Sequence, residues 1–307
     1  MAANLARSFL WWHPESDIQF QIVTDQINAV PDDIINQISI IYIKPGELGE
    51  GFSPKLHLDK LASDGQTLFI DSDCLIYGKL DPVFKVFKGH RVSVIGNYIS
   101  EGEWFGNIGD ICKQFNIPHM PKFNGGIYYI ERGDEATRVY NAARELETQY
   151  DQIGFIRLRD RPNDEVLMSL AMELNQQVPI AEDGNILGEL LNFRTGARSD
   201  LLNGLAELYN DPSNSAYNKN WPLTIGRPVI VHFLGHHNLL MPYIKEAKQL
   251  KYLFVNNLPI NAARLITFIQ VTLPFTIVLN LKNIFRSAYR AVFGVRKIKK
   301  SERVIDL

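Results

Sequence analysis

The stretch TLFIDSDCLIYGKLDPVF, Thr67 to Phe84, decides how this chain is read. Thr67–Ile70 is a short apolar run with the β-branched and aromatic content of a buried strand. It ends on Asp71-Ser72-Asp73. On an extended backbone, side chains two apart point the same way, so Asp71 and Asp73 converge while Ser72 faces the opposite side. Two converging carboxylates at the end of a buried strand repel one another, and their desolvation is costly unless a cation lies between them. The pattern points to a divalent metal and, with it, a phosphate-bearing ligand. The plainer alternative is a solvated turn after a strand.

Outward from this centre, apolar spacing predicts a helix over Ala2–Trp12, stopped by Pro14. Alternation predicts a strand over Asp17–Thr24, ending at Asp25. A short helix at Pro31-Asp32-Asp33 and an apolar strand over Ile38–Ile43 follow. Ser53-Pro54 supplies a helix start for Lys55–Leu61. Downstream, Asp81-Pro82 opens another short helix, and Arg91–Ile95 reads as a strand. Asn97–His119 reads as a long loop carrying Trp104 and Phe105, aromatics that either stack on a sugar or cover the core. Ile127–Ile130 is a strand preceded by Phe123-Asn124-Gly125-Gly126. Helices are predicted over Asp134–Thr148 and Asp164–Asn175, and a late buried strand over Pro228–Phe233. Strands alternating with helices predict an α/β fold with a mainly parallel sheet covered on both faces. In such folds ligands lie beyond the carboxyl ends of strands, where Asp25, Asp71, Asp73 and His232 fall.

The 307 residues suffice for one large α/β domain or a domain with an appendage. A hydrophobic share of 46% and a charged share of 21% are ordinary for a globular protein. The net charge of −2 gives no bulk attraction for nucleic acid, which is excluded as a partner on that ground. Cys74 and Cys112 form neither a CxxC pair nor a disulfide framework, which suits a reducing compartment. The apolar patch Phe9–Trp12 is too short for a signal-peptide core, so the domain is expected in the cytoplasm.

A second signal is Val231-His232-Phe233-Leu234-Gly235. A lone histidine after a strand is ordinarily structural, but His232 would be a third partner for a metal held by two carboxylates. Carboxylate oxygens with one imidazole suit Mn²⁺, with Mg²⁺ as the harder alternative. Gly235 lets the backbone approach a phosphate closely.

Together these stretches resemble glycosyltransferase family 8, the retaining GT-A transferases that include glycogenin and bacterial lipopolysaccharide galactosyl- and glucosyltransferases. Lys55-Leu56-His57 with FIDSDCLIYGKLDPVF resembles the family's basic helix, DxD strand and following short helix. Phe123-Asn124-Gly125-Gly126-Ile127 resembles its Asn-x-Gly strand, Asp164-Glu165 its Asp-Gln pair, and VHFLG its His-x-x-Gly close. The likeness runs from Lys55 to Asn238, in the family's order and spacing. It implies a GT-A fold and a metal-dependent hexosyltransferase. In that role Asp71, Asp73 and His232 hold the metal on a nucleotide-diphosphate sugar, UDP-hexose foremost. Lys55, Ser72, Gly235 and His237 stand at the diphosphate, while Asn124 and Asp164 face the transferred sugar with Lys55. The implied acceptor is a glycan or glycolipid. Read without the resemblance, Lys55 is a solvated helix residue and Asp164 a helix-start carboxylate favoured by the dipole.

Two departures stand out. Where the family close continues to Lys-Pro-Trp, this chain has His236-His237-Asn238, with His237 the candidate for the lysine's place. The strand that opens the family fold ahead of the first helix is missing. Two rivals to the transferase reading are a non-catalytic membrane-attached carbohydrate-binding or scaffold protein and a sugar nucleotidyltransferase. Against the second, this sequence lacks the early Gly-rich basic loop that such enzymes usually carry.

After Pro259 the composition shifts, dividing the chain into a transferase-like domain over 1–258 and an appendage over 259–307. LITFIQVTLPFTIVLNL, between Arg264 and Lys282, is uncharged but short of the roughly 20 residues of a span. Lys282, Arg286 and Arg290 recur every fourth residue beside Ile284, Phe285, Ala288, Tyr289 and Val292, and Arg296, Lys297, Lys299 and Lys300 follow. A basic stripe beside an apolar face fits amphipathic helices lying on an anionic membrane surface. The expected location is peripheral, at the cytoplasmic face. The alternative is a pair of helices packed on the domain with a solvated basic tail.

Overall fold

The computed structural model describes residues 1–26, 28 and 30–294, and the chain divides into two compact units, Met1–Leu234 and Gly235–Leu307. The basic cluster Arg296, Lys297, Lys299 and Lys300 lies outside the described residues.

The first unit is α/β, but its pairing is mixed rather than mainly parallel. Among the described residues, parallel ladders are confined to Gln21–Thr24 with Ser39–Tyr42 and Ile230–His232 with Leu187–Glu189. The aspartate-bearing strand Gln66–Ile70 runs antiparallel to Ile127–Glu131, which also pairs antiparallel with Val92–Ser93. Cys74–Ile76 lies antiparallel to Ile230–His232. The physical reason is local. The turn at Asp71–Asp73 ends one strand and starts another three residues on, and so short a link joins two ladders without a crossover helix.

Helices cover the sheet pieces. Asp134–Thr148 and Asp164–Leu174 bury Val139, Tyr140, Val166 and Leu170 against Tyr128 and Ile130. Ala2–Trp12 packs Leu5 and Phe9 against Cys74, Ile76 and Tyr129 on another face. Its Ser8 Oγ accepts from the N–H of Ile76 at 3.0 Å, and Arg7 makes a buried two-pronged bond to Asp33 at 2.7 and 2.9 Å. These contacts pin the first helix to the sheet.

The segment expected as a long loop is ordered. It holds the strand Gly96–Ile99, paired with Met120–Phe123, and the helix Ile108–Phe115, capped by Asn107 accepting from the N–H of Asp110. Its glycines and asparagines serve as a cap and as left-handed stops, with Asn116 at φ +52° ending the helix. Trp104 is 8% exposed and packs edge-on against Phe123 at 6.1 Å, so of its two readings the core one holds.

The second unit carries Tyr243–Phe254 and then a continuous helical run, Ile260–Phe293. The run is α-helix except for a π-turn at Phe268–Thr272, ahead of Pro274. At 34 residues it is long and apolar enough to cross a membrane. Leu265, Phe268, Ile277, Phe285 and Val292 are all exposed along it.

Candidate metal and sugar site

The site grows from three strand ends. Asp71 and Asp73 sit on the turn after Gln66–Ile70, closed by the N–H of Cys74 donating to Asp71 O at 3.0 Å. This turn, not the alternation of a strand, brings both carboxylates towards His232. His232 ends the strand Ile230–His232, with Cys74 opposite it on one side and Glu189 on the other. Its Nε2 lies 3.2 Å from Asp73 Oδ1 and 3.9 Å from Asp71 Oδ2. Both carboxylates thus face one ring nitrogen, and carboxylate oxygens with one imidazole are a donor set for a Mn²⁺-like ion. Cys74 Sγ also lies within 4.8 Å of Asp73 and His232 donor atoms. Full burial pushes its thiol well above its ordinary value, so it stays protonated and belongs to the core.

Glu189 is the participant that sequence reading missed. Its Oε1 lies 3.1 Å from His232 Nδ1, and both side chains are buried. The parallel register places His232 directly beside Glu189. A carboxylate on Nδ1 fixes the tautomer and turns Nε2 towards the aspartates. Burial opposes a proton on this ring, but the hydrogen bonds and charges of Asp73 and Glu189 outweigh it, and the His232 pKa is pushed up to about 10. Burial also opposes the charge on Asp73, yet the His232 contact holds its carboxyl below the usual range.

Lys55, from the short 3₁₀ helix Ser53–Lys60, donates to Asp71 Oδ2 at 2.8 Å and to Gly125 O at 2.7 Å. Burial works against its ammonium, but the nearby Asp164 and Asp71 carboxylates prevail and hold its pKa above the ordinary lysine value. Asp164 begins the helix Asp164–Leu174, capped by Asn163, and accepts from Tyr128 Oη at 2.5 Å. Burial raises the Asp164 carboxyl. The next residue, Glu165, accepts from the N–H of Gly125 at 2.9 Å, and burial beside Asp164 pushes its carboxyl up to about 8.

The two glycines after Asn124 exist for space. A Cβ on Gly125 would meet Asp164 Oδ2 at 3.0 Å, Tyr128 Oη at 3.1 Å and Lys55 Nζ at 3.2 Å. A Cβ on Gly126 would stand 2.6 Å from His232 Nδ1. This backbone therefore threads between the lysine–carboxylate group and the imidazole. Asn124 itself accepts from the N–H of Gly126 at 3.2 Å, which shapes the turn.

Of the residues singled out in the sequence, Lys55, Asp71, Asp73, Asp164 and His232 thus gather around Gly125–Gly126, with Asn124 on the same turn. Ser72 is exposed beside them. Asp25 is exposed at the end of Gln21–Thr24, and no contact joins it to this group among the described residues. Gly235 and His237 belong to the second unit. There Gly235, at φ +67°, opens the turn Gly235–Leu239, and His237 stacks on His236 at 4.3 Å.

No known family's sequence profile matches the chain, and no curated protein matches it in sequence. Among solved structures, its fold is similar to that of the galactosyltransferase LgtC in complex with donor and acceptor sugar analogues. The TM-score is 0.50 at 14% identity, over 76% of this chain and 82% of that one. It is also similar to an active-site mutant of LgtC, at TM-score 0.49, 15% identity and the same coverage of each chain, 76% and 82%. The glycosyltransferase GlyE of Streptococcus pneumoniae TIGR4 gives 0.44 and 12%, over 76% of this chain and 51% of that one. The fold is that of the GT-A glycosyltransferases, as the motif resemblance implied.

Proposed function

We propose that the protein is a metal-dependent, retaining hexosyltransferase. It takes a nucleotide-diphosphate sugar, UDP-hexose foremost, and acts on a glycan or glycolipid acceptor at the cytoplasmic face of a membrane. The observation that carries this reading is His232 Nε2 facing the carboxylates of both Asp73 and Asp71 beside Lys55 and Asp164. Asp71, Asp73 and His232 would hold Mn²⁺, or Mg²⁺, which when bound neutralises charge developing on a departing nucleoside diphosphate.

The chain's own residues do the rest. Glu189 holds the imidazole so that Nε2 faces the carboxylates. Lys55 fixes Asp71 and brings a permanent positive charge to the phosphate side. Asp164, its orientation locked by Tyr128, accepts from sugar hydroxyls and favours the positive character the sugar gains as its bond to phosphate breaks. Asn124 borders the same turn, and Ser72 stands at the diphosphate in this reading. Residues 259–307, with their exposed apolar helix and basic stripe, bind an anionic leaflet.

The test is titration of UDP into the protein with and without Mn²⁺, followed by a panel of UDP- and GDP-hexoses scored for metal-dependent turnover. Binding that needs Mn²⁺ and disappears in Asp73→Asn, with release of one sugar at retained anomeric configuration, supports the reading. Nucleotide binding indifferent to metal and to Asp73→Asn refutes it. Anionic vesicles that do not retain the full chain refute the membrane part alone.

A further inference from the structure

One carboxyl beside the site has no role in the transferase reading above. Glu165 is the second residue of the helix Asp164–Leu174, and Asn163 Oδ1 fixes its backbone by accepting from its N–H at 2.7 Å. Its side chain is half-buried, whereas Asp164 next to it is 3% exposed. Oε1 accepts from the N–H of Gly125 at 2.9 Å, and Oε2 has no partner among the described residues. A carboxyl pinned by one oxygen, in a partly dry site, leaves a polar atom that still needs a hydrogen-bond partner.

The surroundings decide which of the two neighbouring carboxyls keeps a proton. Asp164 accepts from Tyr128 Oη, and its Oδ2 and Lys55 Nζ both crowd Gly125, at 3.0 and 3.2 Å from the place of a Cβ there. A hydroxyl donor and a nearby cation favour the charged form of Asp164, and the helix start adds to this. Glu165 receives only the neutral N–H of Gly125. The charged groups that face it are Asp164 on its own helix, Glu189 from Leu187–Glu189, Lys55 from Ser53–Lys60 and Lys122 from Met120–Phe123. Lys55 is already committed to Asp71 and to Gly125 O. Burial first, and then the Asp164 charge, push the Glu165 carboxyl up to about 8, while the Gly125 N–H and Lys55 work the other way. Because Oε1 is the acceptor, the proton sits on Oε2.

We propose that Glu165 works as a neutral acid that binds the transferred sugar: its Oε2–H donates to a sugar oxygen, beside Asp164, which accepts. The proposal rests on the transferase reading. An ionised acceptor next to a neutral donor suits a hydroxyl group, which both donates and accepts. Two ionised carboxylates could only accept, and they would repel one another. A hydroxyl held from both sides is fixed in position, and a sugar without it leaves two polar groups unpaired. No bond forms or breaks at Glu165; it holds its proton on Oε2 throughout. Ionisation at higher pH turns this donor into a second acceptor, and the hydroxyl loses its partner.

Calorimetry on the full chain in detergent, with Mg²⁺ because it stays in solution at high pH, compares UDP with UDP-glucose and UDP-galactose from pH 6.5 to pH 9. The ratio of hexose-bearing to bare UDP affinity cancels titrations at the metal and diphosphate, which the ligands share. In the parent chain this preference should be full at pH 6.5 and fall by about tenfold at pH 9, one unit above the Glu165 value. Glu165→Gln keeps a donor that cannot ionise, so its preference should stay flat. Glu165→Leu should lose the preference at every pH. At pH 9, hexose binding to the parent should take up a proton, read from buffers of different ionisation heat, and Glu165→Gln should not. A flat parent profile, no preference for either hexose, a Glu165→Gln profile that falls like the parent's, or a Glu165→Leu preference equal to the parent's overturns the proposal. Metal-dependent binding of bare UDP in the same titrations then leaves the transferase reading standing. If UDP itself does not bind, the transferase reading fails and this proposal falls with it. Infrared difference spectra of the ligand-free chain need no nucleotide: they should show a protonated-carboxyl band at pH 6.5 that is lost by pH 9 and missing from Glu165→Gln. A parent chain without that band overturns the proposal too.

Discussion

Ile127–Glu131 and Gln66–Ile70 are neighbours in one ladder, similar in length and apolar content, yet they live in different surroundings. The first is paired on both edges and buried from Ile127 to Ile130. The second is paired on one edge, and each of its five residues is only half-buried. Hydrophobicity alone marks both as central strands. The difference teaches that apolar content does not by itself tell a strand paired on both edges from one paired on a single edge.

The widest test of that contrast is a pair of truncations. Tyr129 is fully buried, stacks on Phe87 at 4.8 Å and accepts from Gln66 Nε2 at 2.7 Å. Tyr129→Ala should destabilise the first unit by about 3–5 kcal/mol, the range for a large buried aromatic. Leu68→Ala, on the open strand, should cost about 1 kcal/mol, since half of its transfer from water is unrealised. Urea titrations measure both. Equal losses would remove the contrast. A Tyr129→Ala loss several times that of Leu68→Ala would sharpen it.

The next effect falls where the two strands meet the site. Gly126→Ala puts a Cβ 2.6 Å from His232 Nδ1, and the neighbour it meets is a ring held from both sides, with Glu189 on Nδ1 and Asp73 on Nε2. The ring must swing away from the aspartates. Mn²⁺ affinity, measured by calorimetry, should fall by about a hundredfold or more, beyond the range of outer-shell changes. Glu189→Gln is milder. It keeps an oxygen for Nδ1 and loses only the charge, so Mn²⁺ affinity should drop by about tenfold with the melting temperature little changed, and Glu189→Leu should drop it further. Affinity equal across these three variants would mean that the orientation of His232 does not matter to the ion.

These residues also mark how far sequence reading reaches. Asp71, Asp73, His232, Lys55 and Asp164 were legible because each stands in a local pattern at the end of an element, and the α/β class followed from alternating periodicities. Glu189 was not legible. It occupies a three-residue strand, Leu-Gly-Glu, with no motif around it, and only the parallel register with Ile230–His232 brings it to the imidazole. The helix Ile108–Phe115 was hidden by the glycines and asparagines that cap and stop it. The mixed pairing was hidden because short connections between apolar strands do not announce direction.

The smallest expected effect concerns the first helix, Ala2–Trp12. His13, just past Ala2–Trp12, is buried and stacks on Phe9 at 4.5 Å. Its Nε2 accepts from the N–H of Leu80 at 2.9 Å, so the proton sits on Nδ1 and is donated to Phe9 O at 3.1 Å. Burial is the main reason its pKa lies below 6.5; Lys79 adds to the shift, and the Phe9 carbonyl and Asp81 oppose it. A neutral folded form with a depressed pKa means that the unfolded chain takes up the proton first as pH falls. The stability this ring contributes is therefore complete above about pH 6.5 and is lost as pH drops through the lower folded value. Protonation would also remove the acceptor for Leu80 and loosen the end of the helix beside the open edge. Other groups titrate in the same range, so the measurement is a difference. The fall in melting temperature from pH 7.5 to pH 5.5 should be smaller in His13→Gln than in the parent chain, although the variant is less stable at pH 7.5. An identical pH response in parent and variant would show that His13 does not couple the helix to the sheet through its proton.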